Sequence, residues 1–309
     1  MSKVIYILSD NRSGSTLLDQ LLGAHPRIVS LGEVHHLAAY VRQDRRLYDP
    51  VHPLDCSCGR TVTTCPFWTR TAAQLGRPLD TLKLHLRYLG SFTGSSRSLN
   101  SLRRLPRRII NRYPNLLRYP FVSRLFGGDE VGADSFSLFN AIFEVTGSDY
   151  LVDSSKNAFR FRSLYDFAPS RVLVVRLVRD YRGTVHSKMK RGKDMEVAAR
   201  DWVTRMHQAR ELTEGIPPDQ IFRLKYEDLC QSPEKELMRL CGFLDLKFVD
   251  TMLSRPTEEV HHLGGSPSKF DPARKNIQLD QGYLKAFNAA ELARLNRIVG
   301  ATAAEWGYD

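Results

Sequence analysis

The chain has 309 residues, 42% of them hydrophobic and 26% charged, with a formal net charge of +11. That apolar share suits a globular protein with a sizeable core and excludes a disordered chain. No apolar run approaches the ~20 residues that a membrane helix needs, and a strand follows Lys3 at once with no secretory signal, so a cytoplasmic protein is expected.

Val4 to Leu8 (VIYIL) is a short β-branched run, the pattern of a strand buried on both faces. A polar stretch from Ser9 to Thr16 follows, and Leu17, Leu18, Leu21 and Leu22 then recur at helical spacing until His25-Pro26 ends the helix near Ala24. A strand, a turn with Gly14 and a helix start together form an anion site. The first helical N–H groups are unpaired, and the macrodipole places positive charge there. Arg12 adds a fixed cation, and Ser13, Ser15 and Thr16 add hydroxyl donors. The same residues also read as an ordinary helix start capped by Ser13 or Ser15. The loop is not a Walker A motif, because no glycine and no lysine stand where that motif requires them.

Ile28 to Glu33 leads into a second helix and sets the Glu33 carboxylate near the first loop, with His35 and His36 directly behind it. In that place Glu33 also reads as an acid that offsets the dipole of the helix it opens. Residues 45–149 form a long insertion. Cys56-Ser57-Cys58-Gly59 and Cys65-Pro66-Phe67-Trp68 lie within it, with His52 upstream. The C-x-C spacing is tighter than that of common zinc folds, so packing, or a disulfide from Cys65 to Cys56 or Cys58, is expected ahead of zinc. Reducing cytoplasmic conditions argue in turn against a permanent disulfide. From Thr81 to Gly128 there are ten Lys or Arg and no Asp or Glu, which is +10 of the total +11. Arg97, Arg103, Arg104, Arg107, Arg108, Arg112, Arg118 and Arg124 alternate there with Leu, Ile, Tyr and Phe. This stretch suits an acidic acceptor or the surface of an anionic membrane. It equally suits a solvated insertion whose arginines pair with acids elsewhere. Nucleic acid is the weakest reading, since no recognised nucleic-acid module accompanies the charge.

Tyr150 to Asp153 reads as a second buried strand, followed by Ser154-Ser155-Lys156 and a helix from about Ala158 to Phe167, whose start Ser154 or Ser155 would cap. Arg171 to Val178 reads as a third strand. Arg179 stands at its end, and Ser187 lies about two turns into the next helix, a pair able to hold a phosphate from two sides. The plainer reading is a solvated basic helix start, because Arg182, Lys188, Lys190 and Arg191 crowd the same region. A helix over 195–214 and a strand over about 220–225 follow, the latter running into Tyr226-Glu227-Asp228-Leu229. Cys230 and Cys241 read as small buried residues. The strands alternate with helices, which predicts an α/β fold on a parallel sheet.

The RSGST loop of residues 12–16, the Lys156 segment and the Arg179–Ser187 pair, taken in this order, resemble the sulfotransferases that use 3′-phosphoadenosine-5′-phosphosulfate (PAPS). The likeness runs over residues 4–36 and about 150–276, and points to the branch with tyrosylprotein and bacterial carbohydrate enzymes. It implies a P-loop-like core with four or five parallel strands flanked by helices, in a single domain over 1–309 with a mostly helical insertion. It implies PAPS as co-substrate, no metal, and a hydroxyl-bearing acceptor. By resemblance, residues 12–16 hold the donor's phosphate, Arg179 and Ser187 hold its 3′-phosphate, and Tyr226 packs near the adenine, although Tyr226 reads nearly as well as a core aromatic. Lys156 and Arg12 stabilise the transferring group, and Glu33 is the catalytic base, with His36 as the alternative. A C-terminal lid over about 260–280 would close on the nucleotide through Ser268 and Lys269, although the family's Arg-Lys-Gly is replaced here by Arg274-Lys275-Asn276. Two other readings stay open: a nucleotide-dependent kinase, for which Asp153 is the only metal carboxylate in sight, and a non-catalytic polyanion binder that uses the arginine-rich insertion.

Overall fold

Alternation along β1 (Lys3–Ser9) sends Val4, Tyr6 and Leu8 into one hydrophobic cluster and Ile5 and Ile7 into another, so both faces of this strand are covered. The structure, a computed structural model, describes residues 1–44, 54–86, 108–254, 260–265 and 277–308. After β1 come α1 (Ser15–Gly23), β2 (Ile28–Ser30) and α2 (Leu37–Arg42). The described part of the insertion carries α3 (Pro66–Leu75), α4 (Pro120–Leu125) and α5 (Gly128–Thr146). The core resumes with β3 (Tyr150–Asp153), α6 (Ala158–Phe167), β4 (Val172–Val178), α7 (Tyr181–Met189) and α8 (Met195–Thr213). It closes with β5 (Ile221–Lys225), α9 (Tyr226–Gln231), α10 (Pro233–Phe243) and α11 (Ala289–Ala304).

The five strands pair in the order β2-β3-β1-β4-β5, and every pairing is parallel. This is the expected α/β class at the upper end of the expected strand count. The extra strand is β2, which the sequence reading absorbed into the approach to a helix. Three residues carry no periodic signal, and β2 is fixed by its pairing of Ile28 with Tyr150 and Ser30 with Val152. On one face the insertion supplies Leu54, Trp68, Leu84, Phe136 and Phe139 to the cluster around Val4, Tyr6 and Val174. On the other, α1, α9 and α10 pack over Ile5, Ile7 and Val175. A third cluster joins α7 and α8 to the C-terminal helix through Tyr181, Trp202, Leu295 and Val299.

Two local expectations are corrected. Neither Ser13 nor Ser15 caps α1: the N-cap is Gly14, in the left-handed region at φ 87, which has no side chain to cap with. The start of α6 is capped by Asn157, whose side chain accepts from the N–H groups of Phe159 and Arg160, and not by Ser154 or Ser155. The stretch after residue 277 ends in α11, which begins with a full capping box of Asn288 and Glu291.

Candidate active site

Because all pairings are parallel, the five strands end on one edge of the sheet, and each delivers a residue there. β1 gives the loop 10–16, β2 gives Glu33, β3 gives Lys156, β4 gives Arg179, and β5 gives Tyr226, the first residue of α9.

The β1 loop gathers the first group. Arg12 sits in the left-handed region at φ 72, a conformation that costs a non-glycine residue ~1–3 kcal/mol. Its Nε donates to Ser187 Oγ at 2.9 Å, and its carbonyl accepts from Arg179 Nη1 at 3.1 Å. The Arg179 guanidinium lies 4.7 Å over the ring of Tyr226. A Cβ on Gly14 would run into that same ring, so glycine is required there by contact as well as by φ. Arg12, Gly14, Arg179, Ser187 and Tyr226 therefore converge, with Ser15 and Thr16 opening α1 beside them. Ser13 is fully buried, yet its Oγ has no hydrogen-bond partner among the described residues, and neither does the buried Nε of Arg179. Buried donors without partners are uncommon in folded proteins, and these two fit a ligand rich in acceptor oxygens.

The second group lies between β2 and β3. Lys156 is also left-handed, at φ 63, and its Nζ donates to Glu33 Oε1. The N–H of Gly265 donates to the same oxygen at 3.1 Å, and His36 Nε2 lies 3.6 Å from Oε2. Burial pushes the Glu33 carboxyl upward, but the Lys156 charge and the His36 hydrogen bond outweigh it and hold the group well below the usual carboxylate range. A strap over 260–265 seats this residue. Gly32, at φ 71, pairs with Leu263, and the Glu33 N–H donates to the Leu263 carbonyl at 2.7 Å. Any Cβ on Gly32 would collide with that carbonyl. Glu33, His35 and His36 also come close enough to share a metal ion, but the Lys156 ammonium already takes the carboxylate.

A buried layer supports both groups. Asp153 Oδ2 accepts from Arg160 Nε at 3.2 Å and Nη2 at 3.0 Å, while its Oδ1 accepts from the N–H and hydroxyl of Ser155. Arg160 Nη1 also donates to Leu84 O and Ser135 Oγ, both at 2.9 Å, which ties the insertion to the site. Behind Glu33 the rings of His35 and His36 lie 3.8 Å apart, with His85 5.0 Å from His35. Burial drives the His35 imidazole well below its ordinary value and His85 down to about 3, so both are neutral.

Several residues of this edge have no signal in the sequence. Lys188 was read with the solvated basic run, but it is buried and ion-paired to the buried Asp10. Asp280 Oδ2 accepts from Arg179 Nη2 at 3.1 Å, and its backbone carbonyl accepts from the same nitrogen at 3.0 Å. Ser268 and Lys269, expected on the lid, lie outside the described residues, as do Arg274 and Lys275. In the arginine-rich stretch Arg97, Arg103, Arg104 and Arg107 lie outside them too. Arg118 pairs with Glu214 at 2.8 Å and Arg124 with Asp129 at 2.9 Å.

A sequence model of the sulfotransferase family matches residues 5–250. The chain belongs to the sulfotransferase family. The fold agrees. This sulfotransferase resembles the sulfotransferase domain from the curacin biosynthetic pathway at TM-score 0.56 and 18% identity, covering 100% of this chain and 99% of that one. The sulfotransferase domain of the Synechococcus PCC 7002 olefin synthase gives TM-score 0.58 at 18% identity, over 99% and 94% of the two chains. Sulfotransferase STF9 from Mycobacterium avium gives 0.50 at 13% identity, over 100% and 78%. At such identities the likeness speaks to the fold. No curated protein sequence matches the chain. Among the described residues of the sulfotransferase, no helix is long and apolar enough to cross a membrane.

Proposed function

We propose that this enzyme transfers the sulfuryl group of PAPS to a hydroxyl, with Glu33 as the base and Lys156 on the leaving side. The observation that carries the reading is the convergence, at one sheet edge, of a helix start with glycine at its N-cap, two left-handed cations, and the Ser13 Oγ and Arg179 Nε donors, which have no partner among the described residues. Bound PAPS supplies an electrophilic sulfur joined through oxygen to the 5′-phosphate. The N–H groups at the start of α1, with Ser13, Ser15, Thr16 and Arg12, hold that phosphate. Arg179 and Ser187 hold the 3′-phosphate, and Tyr226 lies beneath the Arg179 guanidinium, beside the adenine.

Glu33 accepts the proton of the acceptor hydroxyl as the new O–S bond forms and the bridging S–O bond breaks. Lys156 has two partners to choose between. In the structure it lowers the basicity of Glu33. When it turns to the phosphate that gains charge in the transition state, it frees Glu33 to take the proton, so one ammonium both restrains the base and stabilises the leaving group. The kinase reading loses support because Asp153 is saturated by Arg160 and Ser155 and has no oxygen left for a nucleotide-bound metal.

The acceptor's setting is placed in the insertion, where the exposed Tyr113, Tyr119, Phe121 and Leu125 alternate along the chain with the exposed Arg112 and Arg124. Aromatic and cationic side chains in one exposed stretch suit an anionic surface. The test is transfer of labelled sulfate from PAPS across carbohydrate, tyrosine peptide, lipid and phenol acceptors. Labelling of one class, lost in Glu33→Gln, is expected. If no acceptor is labelled and no adenosine 3′,5′-bisphosphate binds, the reading fails.

A further inference from the structure

Cys56, Cys58 and Cys65 are all free thiols, so of the two expectations, packing or a disulfide from Cys65, the disulfide does not form. They meet a fourth residue from the far end of the chain. The three Sγ atoms and Nδ1 of His261 all lie within 4.8 Å of one another. Cys58 and Cys65 are 3.6 Å apart and Cys65 and Cys56 3.8 Å, sulfur to sulfur. His261 Nδ1 lies 3.7 Å from Cys56 Sγ and 3.2 Å from Cys65 Sγ.

These four separations fall close to the edges of a tetrahedral metal site. A tetrahedral zinc binds sulfur at about 2.3 Å and imidazole nitrogen at about 2.0 Å, which sets its sulfurs about 3.8 Å apart and sulfur about 3.5 Å from nitrogen. The tight C-x-C spacing works because the chain turns at once. The N–H of Gly59, at φ 81, donates to the Cys56 carbonyl at 2.9 Å, and the Cys56 N–H donates to the Arg60 carbonyl at 2.9 Å.

The histidine is held as firmly as the sulfurs. The Phe67 ring stacks on His261 at 4.9 Å with an interplanar angle of 5°. Ser57, between the first two cysteines, donates from Oγ to the Val260 carbonyl at 2.7 Å and accepts there from the His262 N–H at 2.7 Å. We propose that Cys56, Cys58, Cys65 and His261 form a structural zinc site. Four protein ligands leave no open position, so the ion joins chain segments and takes no part in chemistry. The segments joined are the start of the insertion and the 260–265 strap, which carries Leu263 against Gly32 and Gly265 against Glu33. His52, the sequence candidate for the fourth ligand, lies outside the described residues; His261 had no signal because nearly two hundred positions separate it from Cys65.

The experiment is metal analysis of the full chain purified without chelator, followed by exchange with cobalt(II). About one zinc per chain is expected, together with the near-ultraviolet thiolate charge-transfer and strong visible bands of tetrahedral cobalt. Cys58→Ser and His261→Ala should each lose the metal, and Cys230→Ser should keep it. Wild-type protein that carries no stoichiometric zinc and shows no tetrahedral cobalt spectrum overturns the site, a result that needs no variant to fold. Zinc that survives both ligand substitutions also overturns it. Neither readout depends on sulfate transfer, so the site and the proposed function stand or fall separately.

Discussion

The Lys156 ammonium donates to Oε1 of Glu33 across the ends of β3 and β2, with the two side chains 11% and 14% exposed. So little water reaches the pair that its attraction is only weakly screened. The carboxylate is thus charged but a poor proton acceptor until its partner turns elsewhere. This relationship gives the first prediction. Glu33→Gln keeps the size and removes the proposed base, so turnover should fall ~10²–10⁴-fold while the affinity for adenosine 3′,5′-bisphosphate stays nearly constant. Lys156→Ala should also depress single-turnover rate more than donor affinity. If His36→Ala produces the large loss and Glu33→Gln is nearly silent, the base is the histidine.

The same pair sets a pH dependence of stability. The Glu33 carboxyl is lowered from 4.5 in the folded chain, so its contribution is complete above that value and declines as acid protonates it. The stability gap between wild type and Glu33→Gln should shrink by about 1.4 kcal/mol for each pH unit below about 4.5. Urea unfolding at pH 7 and at acid pH measures the gap. A gap indifferent to pH would mean that the ion pair contributes nothing.

At the other end of the edge, Arg179 and Ser187 face the same space as Arg12. Arg179→Ala and Ser187→Ala should each weaken adenosine 3′,5′-bisphosphate by ~1.5–3 kcal/mol, with a much smaller effect on adenosine 5′-phosphate. Calorimetry with both nucleotides decides. Equal losses would remove the 3′-phosphate from this pair.

Asp280 is an acid placed on the guanidinium that the proposal gives to a phosphate. Burial raises its carboxyl, but the Arg179 hydrogen bond prevails and holds it below the ordinary carboxylate range. Its side chain is 52% exposed, so the pair is well screened. Asp280→Asn should tighten adenosine 3′,5′-bisphosphate by only about 2–5-fold, through loss of a competing anion. Weaker binding in this variant would show that Asp280 positions Arg179 instead.

Much of this edge was legible in the sequence because strand-end residues lie next to their strands. Lys156 follows β3 by three positions and Arg179 follows β4 by one, and both strands announce themselves as apolar runs. What escaped was decided at a distance. β2 exists through its pairing with β3, the burial of Lys188 through Asp10, and the setting of Glu33 through Leu263 and Gly265. Local periodicity holds no record of such partners. The four sulfur and nitrogen atoms show the same limit: the three cysteines were seen, while their histidine lay beyond the reach of any spacing rule.

The contact between Gly265 and the Glu33 carboxylate spans 232 positions. A chain leaving the ribosome can complete all five strands once Lys225 has emerged, and with them the loop proposed to hold the donor. Its acid at the second strand is not seated until the strap arrives some forty residues later. Nascent protein would therefore complete the proposed donor loop before it seats the proposed base, with the last helix still to come.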